Sequence, residues 1–284
     1  MAVTRSTKPK RQGARSFVLS VCALEGGGKT QFGTTAPMPI SYHAVDPNTE
    51  AVLQKIYGVD DLSTVEGLMY HKLKMPAIAF SDQQDVQTEA EACWDSFIDS
   101  LRPIVREETD TRSVVLDTAT EFDTLNVLAE FGKTDQITPE SRRNRMGPVN
   151  RRWSGMIRAL ADVGVNVLLL HRMQRKWETV DVRGQGGREE KRQEMTGPWD
   201  YERKGHKDTG FDNSAEVLLK HDPTHSEKLS GQFGMHIARC TLRPTILGTE
   251  HWGRTKIDGQ RVHRVSFPYL ATLIYPSTTL DDWR

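Results

Sequence analysis

The chain has 284 residues, and 38 Lys and Arg offset 38 Asp and Glu, so its formal net charge is zero. That length suits one large α/β domain or two small ones with a well-buried core. No run approaches the roughly 18 consecutive apolar residues of a membrane span, and the basic opening stretch MAVTRSTKPKRQGARS lacks the apolar centre of a secretory signal.

Residues 1–15 therefore read as a flexible basic tail. Cys22, Cys93 and Cys240 are far apart and form no CxxC pair. A zinc ribbon or redox motif is not expected, and free thiols suit a reducing cytoplasm. His221 and His225 in HDPTH have a ligand-like spacing, but Pro223 between them argues for a turn, and no metal is expected there.

In chain order, FVLSVCAL (17–24) is an apolar run that predicts a buried strand entering a glycine turn. GKTQFGTTA then starts a helix. PISYHAVD (39–46) predicts a second strand ending in Asp46, and TEAVLQKIYG (49–58) a helix closed by glycine. TEAEACWDSFIDSLRPIV (88–105) has the spacing of an amphipathic helix. SVVLD (113–117) predicts a third buried strand, ending in Asp117, and EFDTLNVLAEFG (121–132) another helix. PVNRRWSGMIRALADVG (148–164) predicts a helix and VNVLLLH (165–171) a fourth strand, ending in His171.

Strands alternating with helices predict a mostly parallel sheet with helices on both faces. The loop at 23–30, Asp46, Asp117 and His171 all fall at predicted carboxyl ends of strands, the edge where open α/β sheets bind ligands. Residues 172–210 are polar, charged and glycine-bearing. There KWETVDV alternates like a strand and RGQGGR suits a hairpin turn, so 172–210 reads as a long loop or hairpin insertion. AEVLLKH (215–221), GMHIARCTL (234–242) and RVHRVSF (261–267) read as strands of an antiparallel extension.

Residues 23–30 read ALEGGGKT, which matches the end of the phosphate-loop pattern GxxxxGK[ST] but opens on Ala23 instead of glycine. Gly26, Gly27 and Gly28 allow backbone N–H groups to approach phosphates closely. Glu25 and Gln31 flank the cradle. Lys29 is placed to reach the β- and γ-phosphates, and the Thr30 hydroxyl to ligate Mg²⁺. Alanine at 23 is tolerated if its φ is negative. SVVLDTATEF has the form of a Walker B strand, in which Asp117 holds the Mg²⁺ water shell. Thr118 follows it, so the base that activates water must come from elsewhere. Asp46 is the candidate, with Glu50 in reserve. His171 is the candidate sensor of the γ-phosphate.

In LEGGGKT, SYHAVD, VVLDTATEF, NRRWSGMIRALADVGVNVLLLHRMQRKW, FDNSAEVLLKHD and HIARCTLRP, the chain resembles the RecA-like P-loop ATPases, in particular the phage group with single-strand-annealing and recombination ATPases. The resemblance covers roughly residues 16–250, leaving 251–284 as a C-terminal extension. It implies an ATP- and Mg²⁺-dependent ATPase that acts on single-stranded DNA, in the host cytoplasm if phage-encoded. It also implies a homo-oligomer, ring or filament, with a single-strand-binding protein as a further partner. In the family the strand before Asp46 ends in a Glu, one methylene longer, and the position of His171 carries a Gln or His sensor.

Loops after the third and fourth strands bind DNA in RecA. The corresponding positions here hold Arg142, Arg143, Arg145, Arg151 and Arg152, suited to phosphates, and Trp177, Trp199 and Tyr201, suited to stacking on bases. Arg239 and Arg243 are the candidates for completing a neighbouring subunit's site. Two other readings stay open: a P-loop motor or helicase loader, and a nucleotide-gated scaffold that binds ATP without turnover.

Overall fold

A computed structural model describes residues 16–133, 139–175, 178–183, 189–194, 201–203, 213–221, 233–254, 257–258 and 261–283; within these, side chains are described except at 139–145, 175, 178–183, 189–194, 202–203, 257–258 and 261–262. The tail at 1–15, Trp177 and Trp199 lie outside the described residues.

The first strand, β1 (Val18–Ala23), is buried along its whole length. Alternate residues serve opposite faces, as a strand sandwiched between helices requires. Leu19 and Val21 enter one apolar cluster. Val18 enters the other. After the glycine loop come α1 (Lys29–Gly33), β2 (Ile40–Ala44) and α2 (Thr49–Tyr57). Gly58 closes α2 in the left-handed conformation, φ 68°, as its sequence position predicts. Next is β3 (Leu68–Lys72), which the sequence reading passes over. Its LMYHK opens on a buried Leu68 but runs into Tyr70, His71 and Lys72, which are half-buried or exposed, so no apolar run announces it.

The long helix α3 (Gln83–Val105) is capped by Asp82, whose side chain accepts from the Asp85 N–H. Then follow β4 (Ser113–Asp117), α4 (Ala119–Phe131) and α5 (Pro139–Asp162). The start of α3 meets the end of α4, with Gln83 Nε2 donating to the Phe131 carbonyl at 2.6 Å. Trp153 on α5 is fully buried with Trp94, Phe97 and Phe122 from α3 and α4. Helix α5 begins nine residues before the predicted start at 148, which moves Arg142, Arg143 and Arg145 from a loop onto a helix.

Strand β5 (Asn166–Arg175) also outruns its prediction. The strands β6 (Glu178–Arg183) and β7 (Glu189–Glu194) pair antiparallel, as the hairpin reading of 172–210 expects. Beyond them lie β8 (Tyr201–Arg203), β9 (Ala215–His221), β10 (Phe233–Cys240) and β11 (Glu250–Gly253). The short pair β12 (Ile257–Asp258) and β13 (Arg261–Val262) precedes the last helix, α6 (Phe267–Ile274).

The main sheet has the order β11-β10-β9-β1-β5-β4-β2-β3, with β8 attached to β5. The six strands from β9 to β3 are parallel. The fold is thus α/β, a mostly parallel sheet covered on both faces, with antiparallel strands towards the C-terminus.

Two sequence expectations need correction. Strand β9 does not belong to the antiparallel extension: it pairs parallel with β1, Leu19 opposite Ala215 and Ala23 opposite Leu219. And of 261–267 only Arg261–Val262 is strand, paired antiparallel with β12, while Phe267 already belongs to α6, because FPYLATLI carries helical spacing after Ser266. Nor does the segment after 250 stand apart. Phe267 stacks on Phe17 at 5.0 Å, and Trp283 closes the same cluster. Phe17 lies at the chain's first described strand, so burying it needs the C-terminal helix.

Candidate nucleotide-binding site

Strand register brings the site together. Val21, Leu170, Asp117, Ala44 and Lys72 form one rank across β1, β5, β4, β2 and β3. Just beyond that rank, at the carboxyl edge, lie the glycine loop, Arg172, Thr118 and Asp46. These surround a cleft of about 670 Å³ lined by residues that include Glu25, Gly26, Lys29, Thr30, Asp46, Thr49, Asp117 and Arg172.

Gly26 and Gly28 hold φ values of 72° and 89°, which L side chains rarely adopt. A Cβ at Gly28 would also lie 2.6 Å from the Phe233 ring, so β10 backs the loop. Among the described non-glycine residues only Glu107 has positive φ, so Ala23 meets the condition that makes alanine tolerable. A Cβ at Gly27 would stand 2.7 Å from the Ala23 Cβ and 3.0 Å from the Leu24 carbonyl. A side chain at the fifth position of the motif would thus collide with the methyl group that replaces its first glycine, and with the Leu24 carbonyl, so position 27 requires glycine. If this loop holds ATP, Gly27→Ala is expected to weaken its binding at least tenfold, and Ala23→Gly in the same chain to recover part of that loss. Ala23→Gly alone should shift ATP affinity by less than about threefold, because it relieves no strained φ. Titration calorimetry on the three variants checks this cycle.

Lys29 Nζ donates to the carbonyls of Ala23 and Leu24, both at 3.4 Å, so the ammonium folds back under the loop. Burial lowers its pKa, and Arg172 lowers it further, while Asp117 and Asp46 pull it up. Asp117 is buried at the end of β4. Its Oδ2 accepts from Thr30 Oγ1 at 2.7 Å and from Tyr42 OH at 2.8 Å, with Thr49 Oγ1 at 3.5 Å. Burial raises its pKa, against the pull of those two hydroxyls and Lys29, and nearby Asp46 adds to the rise. Tyr42 is pushed well above the usual phenol range by its own burial and by Asp117. The Asp117–Thr118 peptide is cis.

Asp46 lies two residues past β2, where its Oδ1 caps the turn by accepting from the Asn48 N–H at 2.9 Å. Its Oδ2 is 3.6 Å from Arg172 Nη2. Arg172 Nη1 reaches Glu121 Oε1 at 2.9 Å.

A Mg²⁺ bound with a nucleotide takes one or two protein oxygens and fills its shell with phosphates and water. The adjacent Thr30 hydroxyl and Asp117 carboxylate fit that donor set. Among the described residues no group of three His, Cys, Asp or Glu could cage a metal without a nucleotide.

The remaining predicted residues fall as follows. Glu25, Gly26, Lys29, Thr30, Asp46 and Asp117 share the cleft, while Gln31 is half-buried along α1 and does not line it. Glu50 is tied to Lys72 at 2.7 Å and also lies outside the cleft lining. His171 does not end its strand. It sits inside β5 opposite Cys22, fully buried, and the next residue, Arg172, is the one that lines the cleft. The cause is that β5 runs on to Arg175, so alternation turns His171 inward and Arg172 outward.

Arg151 is exposed on α5, whereas Arg152 pairs with Glu130 at 3.0 Å, which commits part of its charge to holding α5 on α4. The side chains of Arg142, Arg143 and Arg145 lie outside the described residues. Tyr201 begins β8 and borders a smaller depression beside Gly26 and Gly27. Because β10 is antiparallel to β9, Cys240 pairs with Ala215 at the far end of the sheet. Arg239 and Arg243 therefore stand away from this chain's own cleft, and Arg243 Nη1 donates to the Leu273 carbonyl of α6 at 2.5 Å.

Sequence reasoning missed Tyr42, Thr49, Glu121 and Arg172. For Tyr42 a signal existed: a phenol in the fully buried ISYHA strand needs a polar partner. A scan against protein-family models finds no match for this chain, and neither does a search of curated proteins.

Proposed function

We propose that this protein is a Mg²⁺-dependent, RecA-like P-loop ATPase that acts on single-stranded DNA in phage recombination, annealing or replication. The observation that carries this reading is the convergence of Lys29, Thr30, Asp117 and Asp46 on one cleft at the carboxyl edge of a parallel sheet, beside a glycine loop. Four polar groups from β1–α1, β2 and β4 have no packing reason to meet there. A phosphate chain gives them one.

In this reading the loop N–H groups and Lys29 hold the phosphates. Thr30 and Asp117 would hold Mg²⁺, which when bound would neutralise phosphate charge. Asp46 orients a water and accepts its proton as the water oxygen bonds to the γ-phosphorus. The bond from that phosphorus to the β–γ bridging oxygen breaks, and ADP and inorganic phosphate leave. The DNA part rests on the arginines of α5 and on the resemblance in sequence.

The test is phosphate release with and without single-stranded DNA. Turnover should rise with DNA and require Mg²⁺. Asp46→Asn should keep ATP binding but cut turnover about 10²-fold, within the usual range for losing a general base. Unchanged turnover in Asp46→Asn would remove Asp46 from the mechanism. One observation favours the scaffold reading: Arg172 stands against Asp46 and competes for the carboxylate that hydrolysis needs. ATP binding with no phosphate release, DNA present or absent, would select that reading.

A further inference from the structure

We infer that Arg172 is the residue that distinguishes a nucleoside triphosphate from a diphosphate in this cleft, by exchanging Asp46 and Glu121 for the γ-phosphate. The inference rests on the nucleotide-binding reading of the cleft and deepens it.

Arg172 stands directly beside Ala23 in the β1–β5 register, so its backbone is fixed next to the residue that opens the phosphate loop. Its own N–H donates to Thr120 Oγ1 at 3.1 Å, which ties it to the first turn of α4, just past Asp117. The residues before it, Leu170 and His171, are fully buried. The base of the side chain is therefore anchored in the rigid centre of the sheet. The head is not: the side chain is 49% exposed.

That head has two carboxylate partners of unequal quality. Glu121 is at 2.9 Å, a good ion pair. Asp46 is at 3.6 Å, beyond ordinary hydrogen-bond length. Exposed pairs of this kind contribute little to stability. A phosphate offers a guanidinium two short charge-assisted bonds, which are stronger. The exchange is downhill when a γ-phosphate arrives, and a diphosphate offers nothing at that position.

Arg172 also lowers the pKa of Lys29, which places the two cations within electrostatic reach of each other. Two converging cations repel when the cleft is empty, and an anion between them relieves that repulsion. Arg172 forms, with Asp46 and Pro47, the wall shared by the nucleotide cleft and a neighbouring cleft of about 630 Å³. Its departure from Asp46 frees that carboxylate for water, so the same movement that reads the triphosphate readies the base.

The experiment measures the affinities of ATPγS and ADP, with Mg²⁺, by titration calorimetry on the full chain. Wild type should prefer ATPγS. Arg172→Ala should lose about tenfold or more in ATPγS affinity, with ADP affinity held within about twofold, so the preference collapses. Arg172→Lys should fall between, keeping charge without the fork. Glu121→Gln removes a competitor for the guanidinium and should raise ATPγS affinity above wild type, a gain that no loss of folding could produce. Melting curves check that each variant is folded. An unchanged ATPγS-to-ADP ratio in Arg172→Ala overturns the inference and leaves the cleft's assignment standing, as does an ATPγS affinity in Glu121→Gln no better than wild type. Failure of the wild type to bind either nucleotide overturns the nucleotide reading itself, and this inference with it.

Discussion

Lys29→Ala is expected to abolish measurable ATP turnover, by roughly 10³-fold or more, and to weaken ATP binding with it. Charge-assisted hydrogen bonds to a phosphate contribute about 1.5–3 kcal/mol each, and this ammonium can make more than one. The same change should barely move the melting temperature of the nucleotide-free protein. Lys29 is held in a setting that lowers its pKa through burial, which means the folded state disfavours its charge. Among the described residues its hydrogen bonds are two long ones to loop carbonyls. Removing it therefore takes away little that stabilises the fold. A steady-state phosphate assay beside a thermal melt separates the two effects. A large drop in melting temperature would mean that Lys29 is a structural residue, and turnover at the wild-type rate would mean that the phosphate site is elsewhere.

Asp117→Asn should also cut turnover severely and yet leave the folded protein at least as stable at neutral pH. The carboxylate is buried, and burial raises its pKa in the folded state. The sign follows from linkage. A carboxyl group whose pKa is raised on folding binds its proton more tightly in the native state. Its contribution to stability is fully present below the ordinary aspartate value of about 3.9 and is lost as pH rises through the raised native value. At neutral pH the ion is buried at a cost, offset in part by Thr30 and Tyr42. Asparagine carries no charge, so this part of the pH dependence should vanish, and the melting temperature near pH 7 should hold or rise by a few degrees. Turnover should fall by roughly 10²–10³-fold, the usual scale for losing a group that organises charge at the reacting phosphate. A clear loss of neutral-pH stability in Asp117→Asn would show that the Thr30–Asp117–Tyr42 cluster holds the sheet edge together.

These two predictions rest on different kinds of legibility. Lys29 and Thr30 could be read directly, because GGGKT after an apolar run is a local pattern with a local physical cause. Asp117 could be read because four buried residues followed by an acid mark a strand end. Tyr42 on Asp117 could not be assigned in that way. The two lie 75 positions apart, and only the β2–β4 register, Ala44 opposite Asp117, brings the phenol within reach. Arg172 shows the same limit more sharply. A strand expected to stop at His171 offers the histidine to the cleft. A strand that runs to Arg175 buries the histidine and offers the arginine. The strand runs four residues further than expected, and because successive side chains take opposite faces, His171 and its neighbour Arg172 cannot both serve the cleft.

The alternation of strands and helices, the glycine loop, and the polar residues near strand ends are all encoded locally along the chain. Each follows from short-range causes: hydrophobic periodicity, the freedom of glycine, and the need of a buried strand to end in something polar. The order of strands and the side chains that actually meet follow instead from long-range packing. It set β9 parallel beside β1 and made α6 part of the core. It also placed Phe233 behind Gly28 and the Ala23 methyl against Gly27. Those outcomes depend on contacts between segments far apart in the chain. No local propensity encodes them, because the burial of one segment is supplied by another.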